Sequence, residues 1–406
     1  SGDVLVIGVD GAAYLRREMR GRGCASPAGD FEAVSQYTQH RLGLARYTPP
    51  VLVGEASGAA LAYATLAGAP RGTFPGAVVL GLPTAFTSPK PYCGTSRHPA
   101  LGVRRGAGFA LVPDATLRLP LTILRPAADE AAGDVERFAR AIPGAEVVAV
   151  PGGDGFASDD WASAFARALA RCQPAAAPTA APTIAAAGAN VADLPLVQIA
   201  PAANAAGPAD LVAVVLSGDG GWASIDREVG ETLAADGVPV VGLNTLQYFW
   251  TPRNPDGAAA DLARIVAHAT MAPPGGGTRP RVVLVGYSRG ADVLPFMARR
   301  LPAELRARVA GVALLGLEAS IAFEFHVSDW LGGSAPNERP TLPEVAALRA
   351  ALPASVPILC VYGTGEDDSA CPAAAREGAR AVAMPGGHHL GGDYPALARQ
   401  ILAALH

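Results

Sequence analysis

Serine, carboxylate and histidine occur in that order along the second half of this chain, spaced as nucleophilic acyl-transfer chemistry requires. Ser288 is the centre of Gly286-Tyr287-Ser288-Arg289-Gly290, which follows the β-branched run Val282 to Val285 and leads into the helical stretch ADVLPFMARRL. A strand that ends in a tight turn and feeds a helix pushes the serine hydroxyl out above a sheet, and the two glycines leave room for the turn. A serine hydroxyl is a poor nucleophile near neutral pH. It needs a histidine to take its proton, and the histidine needs a carboxylate to orient it. Glu366, Asp367 and Asp368 lie in GTGEDDSACP after the apolar run PILCVYG, and His388 and His389 lie in GGHHLGGDY after AVAMP.

Two choices within this set stay open. Asp368 is preferred as the acid because its spacing to Pro372 matches one common after the acid strand of hydrolases of this order, with Glu366 next. His389 is preferred as the base because it sits four residues after Pro385 and precedes apolar Leu390. The other histidine, His388, is left to pack against the loop or touch substrate. An oxyanion hole requires two backbone N–H groups. Arg289 supplies one, and Asp219 in the SGDGGW loop the other, where Gly218, Gly220 and Gly221 allow close approach. A plain tight turn with Trp222 in the core is the alternative for that loop. Asp292, one helical turn after Ser288, is placed to pair with Arg289 or Arg253, and Tyr248 and Trp250 to line a pocket for an acyl or lipid group; core packing fits the aromatics equally.

The elements that would position these residues alternate. In the second half, strands are expected at 196–200, 211–216, 238–243, 282–285, 309–314, 358–362 and 381–384, with helical stretches such as 257–268 between them. In the first half they are expected at 4–9, 51–53, 77–80, 121–124 and 146–150. Short apolar strands alternating with helices predict an α/β class, mostly parallel sheets flanked by helices, of hydrolase type.

The first half repeats the second in a broken form. VLVGEASGAALAY, from Val51, aligns without gaps on Val283 onward, pairing Gly54 with Gly286, Gly58 with Gly290 and Ala56 with Ser288. Further on, PGGDGF from Pro151 aligns with PGGHHL from Pro385, leaving Asp154 where the downstream copy has His388. Two tandem hydrolase-like domains are therefore expected, the first degenerate; shared generic strand-turn-helix patterns are the bland alternative. The boundaries expected are 1–173, an Ala/Pro-rich linker at 174–192, and a catalytic domain at 193–406.

Composition narrows the classes of function. The 406 residues are 50% apolar and 17% charged, a globular balance, and a net charge of -4 with scattered arginines and one lysine, Lys90, argues against nucleic acid as a partner. The longest uncharged stretch, 172–192, is alanine broken by Pro174, Pro178 and Pro182, and reads as a connector rather than a membrane span. Cysteines at 24, 93, 172, 360 and 371 lack metal-ligand spacing, so no metal and no cofactor is expected. In an oxidising compartment Cys360 and Cys371 could clamp the acid loop, and Cys24 and Cys93 the first domain. Ser1 and Gly2 run straight into an apolar segment, which suits a cytosolic protein or a mature exported one whose leader has been removed.

The set SGDGGW, LQYFWTPRNPDGAAADL, VGYSRGADVLPF, GTGEDDSACP and GGHHLGGDY resembles the VirJ and AcvB family of bacterial virulence-associated proteins, over nearly the whole second half. The resemblance implies a periplasmic α/β-hydrolase that cleaves the aminoacyl ester of aminoacylated phosphatidylglycerol at the membrane surface. Ser288, Asp368 and one of His388 or His389 would be its triad. It also implies an alternative, a secretion accessory factor that acts by binding, with envelope or secretion proteins met through the first domain. A general lipid esterase is the further alternative.

Overall fold

A computed structural model describes residues 4–18, 25, 27–86, 91–93, 101–105, 108–128, 132–151, 161–173, 190–202, 205, 207, 208, 210–271, 278–324 and 337–405. Cys24, Lys90, Asp154 and linker positions 174–189 lie outside the described residues. The chain forms two compact units. The first is 1–43 with 48–184, and the second is 44–47 with 185–406. The tetrapeptide Leu44–Tyr47 thus groups with the second unit although its chain neighbours belong to the first.

The second unit carries the candidate chemistry. Its strands are β8 (Leu196–Ile199), β9 (Leu211–Leu216), β10 (Val240–Leu243), β11 (Arg281–Tyr287), β12 (Val309–Leu315), β15 (Ile358–Gly363) and β16 (Arg380–Met384), with a hairpin of β13 (Ser320–Ile321) and β14 (Arg339–Pro340) between β12 and β15. The seven-stranded sheet has the order β16-β15-β12-β11-β9-β10-β8, and every pairing is parallel except β10 with β8. All six residues of β9 and all seven of β12 are buried, which a strand achieves only with both sheet faces covered. Helices α8 (Pro255–Ala269), α9 (Arg289–Ala298) and α11 (Leu342–Ala351) close one core with Val214, Leu284 and Leu314. On the opposite face α6 (Ser224–Ala235) and α13 (Tyr394–Leu405) close another with Ala213, Val285 and Val361. The short helices α7 (Thr245–Tyr248), α10 (Ala303–Arg306) and α12 (Cys371–Ala374) complete the unit.

In the first unit the helices are α1 (Gly11–Glu18), α2 (Pro27–Arg41), α3 (Ser57–Gly68), α4 (Ala132–Arg140) and α5 (Ala162–Cys172). Its main sheet is all parallel, in the order β1 (Leu52–Glu55), β2 (Ala77–Leu80), β6 (Leu121–Pro126), β7 (Ala145–Val150). Between β2 and β6 lie β3 (Ala85–Phe86), β4 (Gly102–Arg105) and β5 (Gly108–Leu111), a small antiparallel sheet. The order β1-β2-β6-β7 reproduces β11-β12-β15-β16, elbow strand included. One expectation fails: Val4–Val9 is not a strand, and Val4 and Val6 are 74% and 81% exposed. A β-branched run has no strand state of its own; it needs a pairing edge and a buried face, and the segment has neither here.

Cys360 and Cys371 form a disulfide that joins β15 to α12 across the acid loop, and Cys93 is also disulfide-bonded. Cys172 is a free, buried thiol. No helix among the described residues is long and apolar enough to cross a membrane.

Candidate active site

Ser288 sits between β11 and α9 with φ 51° and ψ -122°, a left-handed conformation that costs a non-glycine residue free energy. Its neighbours enforce the turn. A Cβ on Gly286 would stand 2.4 Å from the Gly290 carbonyl oxygen, and one on Gly290 would stand 2.2 Å from that of Leu216. The Ser288 N–H donates to Leu315 O at 2.8 Å, which fixes the elbow to the end of β12. The next residue there, Gly316, would carry a Cβ 2.8 Å from His388 Cε1, so the absence of a side chain is what lets the imidazole approach.

The structure pairs the two alternatives ranked second from the sequence, His388 and Glu366. His388 Nδ1 is hydrogen-bonded to Glu366 Oε1, and the other oxygen, Oε2, accepts the Gly363 N–H at 2.7 Å. The Glu366 side chain is only 9% exposed, held at both oxygens, while Asp368 is exposed to solvent. Asp368 is therefore not the orienting acid. A carboxylate facing Nδ1 places the proton of the neutral ring on that nitrogen and leaves Nε2 as the acceptor for a serine proton. The preferred base, His389, meets Tyr287 rather than a loop carboxylate. Its Nδ1 lies 3.3 Å from Tyr287 Oη, and it is held below the ordinary histidine value first by loss of water around the ring and then by His388. Two loop contacts lock acid and base together: Thr364 N–H donates to Met384 O at 2.7 Å and Gly365 N–H to Gly386 O at 2.8 Å. No Ser288–His388 hydrogen bond is present among the described residues, and in unliganded sites such bonds commonly tighten only with substrate.

The loop after β9 lies beside the nucleophile. A Cβ on Gly218 would stand 3.5 Å from Ser288 Cβ and 3.0 Å from the Tyr287 ring. Trp222 goes into the core beneath the loop, where a Cβ on Gly242 would fall 2.2 Å from its ring, so loop and core roles coexist. Arg289 is the first residue of α9, so its N–H lies at the helix N-terminus. The Asp219 N–H donates to no atom among the described residues.

Three residues expected to meet substrate are buried against protein groups. Asp292 is 1% exposed and its Oδ1 accepts the Glu318 N–H at 2.8 Å; it forms no ion pair with Arg289 or Arg253 among the described residues. Arg289 instead donates to Ala322 O at 3.0 Å, and Arg253 stacks on Tyr248, 4.6 Å from the ring centroid. Tyr248 is fully buried, its hydroxyl donating to Asp261 Oδ2 at 2.6 Å. Trp250 is 4% exposed and donates to Leu44 O at 2.7 Å. A charge or ring near a nucleophile in sequence does not reveal whether it faces the pocket or the core.

Residues 210–406 match the model of a family described as bacterial virulence protein (VirJ). This half of the chain is VirJ-like. No curated protein matches the sequence. Solved structures similar to the chain include Est1E from Butyrivibrio proteoclasticus, at 15% identity over 52% of this chain and 93% of that one, with a TM-score of 0.36. Another is MenH from S. aureus, at 12% identity over 52% and 97%, with a TM-score of 0.36. The VirJ-like half thus brings together the Ser288 elbow, His388 bonded to the buried Glu366, and the loop after β9. No group of metal-ligating side chains occurs among the described residues.

Proposed function

We propose that the VirJ-like half is a serine hydrolase that cleaves the aminoacyl ester of aminoacylated phosphatidylglycerol, releasing the amino acid and phosphatidylglycerol. The observation that carries the hydrolase reading is the His388–Glu366 pair beside the strained Ser288 elbow. Ser288 Oγ attacks the ester carbonyl as His388 Nε2 takes its proton, and the oxyanion is received by the N–H groups of Asp219 and Arg289. Collapse expels the glycerol hydroxyl, protonated by His388, and water then releases the acyl group from Ser288 by the same steps in reverse roles.

The choice of ester rests on the family resemblance and on charge. Carboxylates crowd this end of the sheet: burial first, and then the charges of Asp219 and Asp368, raise the Glu318 carboxyl above the ordinary range against the opposing pull of His388. A negatively charged rim favours an ester bearing an ammonium group over a fatty acyl ester. The Cys360–Cys371 disulfide suits the periplasm, an oxidising compartment, as the place of action. The first unit, with Ala56 at the place of Ser288, serves as a docking or membrane-orienting module, with envelope or secretion proteins as its partners.

The test is incubation of the full chain with vesicles containing lysyl-phosphatidylglycerol, followed by lipid extraction and chromatography. Free lysine and phosphatidylglycerol should accumulate with the wild type and not with Ser288→Ala. Equal rates on lysyl and uncharged acyl-glycerol lipids at all salt concentrations would replace the substrate by that of a general lipid esterase. A dispensable Ser288 would favour a binding factor.

A further inference from the structure

The loop after β9 is held by side chains that the catalytic scheme does not use. Thr245, the first residue of α7, is fully buried, and its Oγ1 lies 2.6 Å from Gly218 O and 2.9 Å from Ser217 O. A hydroxyl has one proton to give, and the shorter contact is the one to Gly218. Its neighbour Ser217, also fully buried, accepts the Thr245 N–H at 2.9 Å and lies 3.1 Å from the same Gly218 oxygen. On the other side of Gly218, the carboxylate of Asp226, 3% exposed, accepts the Gly218 N–H at 3.3 Å through each oxygen. Both backbone polar groups of Gly218 are therefore gripped from inside the protein.

The carbonyl of Gly218 and the N–H of Asp219 belong to one peptide unit. In a planar trans peptide these two groups point in opposite directions, and no cis peptide occurs among the described residues. A hydroxyl that draws the carbonyl oxygen inward therefore turns the N–H outward, on the side where Gly218 faces Ser288. We propose that Thr245 is a positioning residue for ester hydrolysis: by binding the Gly218 carbonyl it sets the Asp219 peptide so that its N–H faces the oxyanion. The remaining partner of that carbonyl, the Gly221 N–H at 3.1 Å, comes from the same turn and moves with it, so it cannot fix the turn in the frame of the sheet. Thr245 can, because α7 is capped by Asn244, whose side chain accepts the Gln247 N–H at 3.1 Å, directly after β10.

This inference rests on the reading of Ser288 as an ester-cleaving nucleophile, and the experiment separates the two. Steady-state hydrolysis of p-nitrophenyl butyrate and the rate of Ser288 labelling by a fluorophosphonate are measured for the wild type, Thr245→Val and Thr245→Ser in the full chain. Thr245→Val keeps the shape and removes the donor. It should lower kcat and the labelling rate by about 10- to 100-fold, less than outright loss of an oxyanion donor, with KM within about threefold. Thr245→Ser restores the hydroxyl and should recover most of the rate, which a role in packing alone would not predict. If Thr245→Val does not fold, Thr245→Ala carries the same comparison. Rates for the donor-less variant within about twofold of wild type, or a fall confined to KM, would overturn the positioning role while leaving Ser288 in place. A wild type that neither hydrolyses the ester nor takes the label would overturn both.

Discussion

The elbows at Ser288 and Ala56 have nearly the same backbone and opposite chemical prospects. Ser288 has φ 51° and ψ -122°; Ala56 has φ 49° and ψ -117°, in a position where an alanine gains nothing from strain. In both, the preceding glycine is pressed against the following one, a Cβ on Gly54 meeting Gly58 O at 2.1 Å as one on Gly286 meets Gly290 O at 2.4 Å. The turn therefore persists without its hydroxyl, because a buried strand feeding a buried helix across a tight corner demands it. What differs is the flank. A Cβ on Gly290 would strike β9 and the oxyanion loop, whereas one on Gly58 would meet nothing within 4 Å. Among the described residues β1 is the edge of its sheet, and no strand stands where β9 stands beside β11. The elbow is architecture; the chemistry comes from what is built next to it.

Converting one elbow into the other gives the largest expected effect. Ser288→Ala should lower hydrolysis by at least about 10⁴-fold, since the covalent path is lost, while the melting temperature changes little. Adding Ala56→Ser to that variant should restore neither turnover nor fluorophosphonate labelling. Labelling at position 56 would show that the flank is not what silences the first unit.

Next in size are the exchanges within the acid and base loops. Glu366→Gln should lower kcat by about 10³- to 10⁴-fold, as losing the orienting carboxylate does in serine hydrolases generally, while Asp368→Asn stays within about threefold. His388→Ala and His389→Ala should divide in the same way. A larger loss for Asp368→Asn than for Glu366→Gln in the same assay would reverse the assignment.

The glycines give a smaller effect of opposite sign in the two units. Gly290→Ala forces a methyl onto the Leu216 and Ser217 carbonyls and should destabilise by about 1–3 kcal/mol. Gly58→Ala, in open space within α3, should leave stability unchanged or raise it by up to about 1 kcal/mol through helix propensity. Thermal melts of the two variants decide it; equal losses would mean that the two flanks are packed alike.

These contrasts also mark what the sequence made legible. Continuous apolar runs located every strand of the main sheets to within a few residues, because burial on both faces leaves no other composition possible. The elbow and the histidine loop were legible for a related reason, since glycines at fixed offsets betray backbone that must pass close to backbone. The run at 4–9 misled because its composition is that of a strand while its surroundings supply no partner. Choosing Asp368 over Glu366 failed on a finer point: three acids within three residues differ only in which one a loop turns toward His388. That is decided by contacts such as Gly363 N–H to Glu366, across the end of β15. Ser217, Asp226 and Thr245 went unread, although hydroxyls and a carboxylate flanking buried strands signal polar groups with backbone to hold.

The smallest expected effect tests what the second elbow gained beyond its nucleophile. Asp292 lies four residues after Ser288, and Ala60 holds the matching place after Ala56, equally buried. Burial first, then the charge of Glu318, holds the Asp292 carboxyl well above the usual carboxylate range. The folded state thus binds this proton more tightly than the unfolded chain, whose aspartates titrate near ~3.9. The sign follows from linkage. The stability this group contributes is fully present below the unfolded value and is lost as pH rises toward the raised folded value. Asp292→Asn keeps the volume and the oxygen that accepts the Glu318 N–H, but it does not titrate. The melting temperature of the variant relative to wild type should therefore stay constant below about pH 4 and climb as pH rises above it, levelling off once the raised folded value is passed. Hydrolysis should stay within about threefold, because the Gly316–Glu318 segment that frames His388 keeps its anchor. Parallel melting profiles for the two proteins across that range would mean that Asp292 is no more than a hydrogen-bonding stand-in for Ala60, carrying no buried charge that the working elbow must accommodate.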